Sequence, residues 1–116
     1  MKYALLAYSP ATDGGERAAG KIDPALAEVL ARPDVTGWVR LQDVESATSV
    51  RGEPGKTLLS DGPFVDSKEY LGGLIIVDAD DLDGALAVAA ELRGHMRPGG
   101  GGIEVRPILE QELGGA

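Results

Sequence analysis

The chain contains no cysteine and only one histidine and one phenylalanine. Without thiols there can be no disulfide framework and no thiolate metal site, which is compatible with a cytoplasmic setting. The lone histidine, His95, stands among scattered carboxylates that show no ligand spacing, so no metal is expected. No cofactor is expected either. Haem would want an axial histidine in a pocket, and His95 lies just past a helix beside a glycine-rich connector. Gly99–Gly102 is followed by a strand and by no Gly-Lys-Ser/Thr, so it is not a phosphate loop. No nucleophile elbow accompanies the histidine, so nothing supports a catalytic triad.

Positive charge is also scarce. Eleven Lys and Arg face nineteen Asp and Glu, a net charge of −8, and the basic residues are dispersed. Phosphate neutralisation dominates nucleic-acid affinity, so direct binding to DNA or RNA is not expected. Missing too is any apolar run of the roughly 20 residues that a membrane helix needs. The N-terminus MKYALLAYSP has one lysine and no long apolar segment, and reads as a strand rather than a signal peptide. The expectation is a cytoplasmic protein without membrane contact.

What is present is an ordinary globular composition, 43% hydrophobic and 26% charged over 116 residues, enough for one domain spanning residues 1–116. Its organising stretch is Leu59–Val77. Leu74-Ile75-Ile76-Val77 is an unbroken aliphatic run flanked by Gly and Asp, the pattern of an interior strand covered on both faces. Lys2–Tyr8 is likewise apolar on both faces. Trp38–Val44 alternates as a further strand. Ala47–Arg51 and Lys56–Ser60 form a hairpin across Gly52-Glu53-Pro54-Gly55, and Ile103–Leu109 is the last strand.

Two helices are expected. Asp23 caps the first, with Pro24 at its first position and Leu26, Val29 and Leu30 as the apolar stripe; Arg32-Pro33 ends it. Asp81 caps the second, Leu82–Arg93, whose Leu82, Ala85, Leu86, Ala89 and Leu92 share one face, and Gly94 is the natural residue just beyond its end. Ser9–Gly20 and Pro98–Gly102 read as flexible connections and Glu110–Ala116 as a polar tail. The class is α+β. Two helices cannot cover both faces of a sheet that is apolar on both, and a bare apolar face is rare on soluble monomers. A second copy of the chain is the expected cover, which predicts a homodimer.

The motif Asp61-Gly62-Pro63-Phe64, the run Asp66-Ser67-Lys68-Glu69, Leu71-Gly72-Gly73 with its aliphatic strand, Asp80–Leu86 and Ile103–Ile108 recur together with the strand Met1–Leu6. In this combination and spacing the chain resembles the YCII-related, or DGPF-domain, family. The likeness covers most of the chain and is weakest from Ala11 to Glu53. It implies a ferredoxin-like antiparallel sheet with two helices on one face, pairing into a dimeric α/β barrel. It implies no particular reaction, because most members of the family have no established activity.

Asp61 is the candidate catalytic residue, a base or hydrogen-bond acceptor in a pocket that Pro63 and Phe64 would line where the turn meets the sheet. Against this stands a structural reading in which Asp61 organises the turn and the sole phenylalanine is buried in the core. Lys68, in the charged loop with Asp66 and Glu69, would bind an anionic group or form a solvated salt bridge. Glu104 and Arg106 share a strand face, where they pair with each other or Arg106 holds a ligand carboxylate. His95 reads as a solvated helix-end histidine. The His–Asp pair of some shorter relatives is not carried over, because the first half of this chain has no histidine. These residues suggest a small-molecule-binding protein taking an acidic or aromatic metabolite, with at most cofactor-independent acid/base chemistry. The alternative is a non-enzymatic dimeric interaction module of the kind associated with transcription initiation and sigma-factor systems.

Overall fold

The computed structural model describes residues 1–10, 23–64, 68–96 and 101–112. In chain order the elements are β1 (Lys2–Pro10), α1 (Pro24–Leu30), β2 (Val35–Arg40), a 3-10 turn (Val44–Ser46), β3 (Thr48–Glu53), β4 (Lys56–Asp61), β5 (Glu69–Asp78), α2 (Leu82–Gly94) and β6 (Gly102–Pro107). Four strands form one sheet in the order β2-β5-β1-β6, and β3 and β4 form a separate two-stranded ribbon. Every pairing is antiparallel. This is the ferredoxin-like arrangement, with the β3–β4 hairpin inserted between the second and third strands of the main sheet. The aliphatic run Leu74–Val77 lies in β5, and both β5 and β1 are central strands with a neighbour on each side, but the helices cover only one of the two faces.

Each helix bridges two strands that run parallel with a third between them, and both helices pack on the same face. Tyr3, Leu5, Ile75 and Val77 from the two central strands join Val29 and Leu30 of α1 and Ala85, Val88, Ala89 and Leu92 of α2 in one buried cluster. Leu5 and Val77 are completely buried; removing a Leu or Val side chain from water contributes about 1.5–3 kcal/mol. Asp81 starts α2 as expected, its Oδ1 accepting from the Gly84 N–H at 2.9 Å. Asp23 occupies the corresponding position of α1 but makes no side-chain capping bond. Alternation turns Ala4, Leu6, Leu74 and Ile76 to the opposite face, where Val39 lies beside Leu74.

Several boundaries differ from expectation. The strand expected over Trp38–Val44 is Val35–Arg40 instead. The chain turns tightly out of α1 through Val35 N–H to Arg32 O, 3.0 Å, so pairing with β5 begins at once. It ends just after Leu41 bonds the Gly72 carbonyl at 2.9 Å, and Val44 enters the 3-10 turn. Gly94 is the last residue of α2 rather than a left-handed residue beyond it. His95 and Met96 donate to the carbonyls of Leu92 and Arg93, both at 3.0 Å, which closes the helix without one. The last strand begins at Gly102; past Pro107 its pairing continues only through Ile108 N–H to Lys2 O. The connections expected over 11–20 and 98–100, Asp66, and the tail from 113 on lie outside the described residues.

One close approach ties β6 to the sheet. Gly101 has φ of 79°, and a Cβ there would overlap the Tyr8 carbonyl oxygen, so both the backbone conformation and the space call for glycine. It lies opposite the register shift at Ala7/Tyr8, where β1 changes its pairing with β5.

Candidate functional site

The Asp61–Phe64 turn follows directly from β4, with Gly62 at φ 99°. Three contacts from β3 and the residue before it fix this turn. Gly62 N–H donates to the Ala47 carbonyl at 2.8 Å. Ser49 Oγ donates to the Gly62 carbonyl at 2.7 Å. Arg51 Nη2 donates to the Phe64 carbonyl at 3.0 Å, while its guanidinium carbon sits 4.0 Å from the centre of the Phe64 ring. Ala47, Ser49 and Arg51 alternate along the chain, so one side of β3 presents all three to the turn. Ser49 is buried although it is polar, and its hydroxyl is satisfied by that one carbonyl. The Arg51 arrangement joins a hydrogen bond to a cation–π contact, a geometry that lysine cannot reproduce.

These contacts leave the side chains of the motif outward. Asp61, Pro63 and Phe64 are exposed, and the Asp61 carboxylate makes no hydrogen bond or ion pair among the described residues. The expected burial of Phe64 is therefore wrong: the ring is 58% exposed. The physical reason is local. Arg51 holds the ring and the carbonyl of Phe64 on the hairpin, and the next strand, β5, begins at Glu69. Nor does the Asp61 side chain accept the turn's amide: the Gly62 N–H goes to the Ala47 carbonyl, while Ser49 donates to the Gly62 carbonyl.

Lys68 is exposed immediately before β5, four residues beyond Phe64. Arg106 lies elsewhere. It pairs across Ala4, and Ala4 pairs across Ile76, so Arg106 sits level with the far end of β5. Eight residues of strand separate Lys68 from that level, roughly 26 Å. Within one chain, Asp61, Pro63 and Phe64 stand together with Lys68 near in sequence, and Arg106 is remote. Arg106 Nε instead lies 3.5 Å from Glu104 Oε2, an exposed ion pair on the shared strand face.

His95 ends α2 half-buried, with Nδ1 3.8 Å from Asp23 Oδ2, beyond hydrogen-bond distance. Among the described residues no three His, Asp or Glu side chains gather as a metal ion would need, and no helix is long and apolar enough to cross a membrane. Ser49 and Arg51 escaped the sequence reading. Their only signal is the alternation of a small residue, a hydroxyl and a cation along a strand, ten to fourteen residues ahead of the motif.

The strand order and the inserted hairpin define a ferredoxin-like α+β domain carrying an exposed, braced turn. The model of the YCII-related domain matches residues 1–112, and the chain belongs to that family. It is also similar to an uncharacterized protein of Rhizobium meliloti (strain 1021), 39% identical over 69 residues. That alignment covers 60% of this chain and 55% of the relative, so the match spans little more than half of the relative's length.

Proposed function

We propose that this domain binds a small acidic or aromatic metabolite beside the Asp61–Phe64 turn and does so as a homodimer. The observation that carries the reading is the unoccupied Asp61 carboxylate on a turn that other residues hold in place. A carboxylate with no protein partner among the described residues, carried on a braced turn, is available to accept a hydrogen bond from a ligand hydroxyl or N–H. Phe64 and Pro63 supply an apolar wall, and Lys68 a cation for an anionic group. Any chemistry at this site would be proton transfer by Asp61 without a cofactor.

The second copy is argued from the uncovered face of the main sheet. Ala4, Leu6, Leu74 and Ile76 are only half-buried, and Val39 is 51% exposed. Among the described residues the charges on that face come in opposed pairs, Lys2 with Asp78 at one end of the central strands and Glu104 with Arg106 on β6. The net charge of −8 therefore resides elsewhere on the chain, and face-to-face pairing of two copies avoids it. A cytoplasmic setting accords with the absence of cysteine.

A thermal-shift screen of acidic and aromatic metabolites tests the site. A ligand at a hundred times its Kd adds about 2.7 kcal/mol to stability. Hits are expected to lose their shift in Asp61→Ala and to weaken in Lys68→Ala; shifts unchanged in both variants refute the assignment. With no hits at all, the interaction-module reading takes its place. Light scattering at micromolar concentration tests the pairing, and a monomer refutes it.

A further inference from the structure

We propose that the β3–β4 hairpin is an arm that lies across the second copy, so that each ligand site has walls from two chains; this rests on the pairing inferred above. The hairpin is its own sheet, and among the described residues no strand of the main sheet pairs with it. An isolated two-stranded ribbon is at best marginally stable in water. This one nevertheless places Val50 directly across from Leu59, and leaves them 60% and 69% exposed, with Leu58 at 42% on the other side. Its own chain does not cover them.

Ser49, Arg51 and the Ala47 carbonyl tie the two ends of the hairpin together at the Asp61–Phe64 turn, and the tip at Pro54-Gly55 lies at the other end of the ribbon. Six residues of strand reach about 20 Å, and four strands span about 14 Å from first to last, so the arm is long enough to cross a sheet. Charge permits it. Residues 48–61 hold Arg51 and Lys56 against Glu53 and Asp61, which sum to zero in a chain of −8. A second copy is favoured over an unrelated partner by the number of patches. Among the described residues the sheet face and the hairpin pair are both uncovered and apolar, and a two-fold exchange covers both on both copies at once.

The test compares the dimer dissociation constant of the full chain with those of Leu74→Lys, on the sheet face, and of Val50→Lys/Leu59→Lys, on the arm. Light scattering gives the masses and circular dichroism confirms folding. The wild type should run at twice the 12.0 kDa of one chain, and the arm variant should raise the constant at least about tenfold. A photo-crosslinker on Leu59→Cys, the sole thiol of that variant, should join two chains. If Leu74→Lys weakens the dimer while the arm variant does not, and the crosslinks stay within one chain, the sheet pairing stands and the arm is refuted. A monomeric wild type refutes both.

Discussion

In the four-stranded sheet Leu5 and Val77 are fully buried, whereas in the hairpin the equally aliphatic Val50, Leu58 and Leu59 are exposed. Residue type does not separate the two regions; what covers them does. The sheet lies under two helices that bury one face in a single cluster. The hairpin is closed at its root by the Ala47 carbonyl, Ser49 and Arg51, and among the described residues it pairs with no strand of the main sheet. The sheet therefore should carry the global stability of the domain, and the hairpin should be a smaller unit that opens on its own.

The strongest attempt to break this contrast is Leu5→Ala, which empties the middle of the buried cluster. It should cost about 3–4 kcal/mol, as large-to-small changes at fully buried sites do. Urea unfolding should show a lower midpoint with an unchanged slope. A loss comparable to that of a surface change would mean that the helices do not seal the sheet.

Gly101→Ala comes next, at about 2–3 kcal/mol, because it adds backbone strain to a side chain placed against the Tyr8 carbonyl. Its effect should reach the whole β1–β6 edge and be visible as faster hydrogen exchange at Tyr8, Gly102 and Ile103. Exchange confined to Gly101 itself would show that the edge tolerates the methyl by local adjustment.

How much of this was legible beforehand follows from the same contrast. Two-faced apolar runs such as Leu74–Val77 and Lys2–Tyr8 declare central strands, and capping residues such as Asp81 declare helix starts, because those signals are local. Phe64 misled because aromatic burial is a statistical tendency, while its actual position is set by a guanidinium thirteen residues earlier. Val44 misled because alternation continues past the point where β2 loses its partner strand. The motif itself was legible as a turn with a glycine at positive φ. Its bracing by Ser49 and Arg51 was not, since a serine and an arginine on a strand name no partner until the hairpin is folded back on the turn.

Ser49→Ala sharpens the contrast from the hairpin side. It removes the donor to the Gly62 carbonyl and leaves that oxygen without its side-chain partner, at a cost of about 1–2 kcal/mol. Because the contact lies at the hairpin root, the cost should appear there: amide exchange across β3 and β4 about tenfold faster, with the melting temperature nearly unchanged. A fall in melting temperature as large as that of Gly101→Ala would make the hairpin part of the main cooperative unit.

The smallest effect concerns a polar pin on the sheet, for comparison with the one on the hairpin. Asp78 ends β5 and pairs across the sheet with Lys2. Its carboxylate accepts from the Met1 ammonium at 3.0 Å and from Lys2 Nζ at 3.4 Å. Those hydrogen bonds, the Met1 ammonium first, and the charge attraction behind them hold the Asp78 carboxyl below its usual pKa. A carboxyl depressed by folding stabilises the native state above its unfolded pKa, near about 4. That contribution is lost as pH falls through the lower, folded value. Both charges are in solvent, so salt should weaken the contribution further. Asp78→Asn should therefore melt slightly below the wild type at pH 7 and low salt, with the gap closing below pH 4 and at high ionic strength. A gap that survives acid would have to come from packing at the end of β5 rather than from charge. The sheet would then depend on this corner in the way the hairpin depends on Ser49.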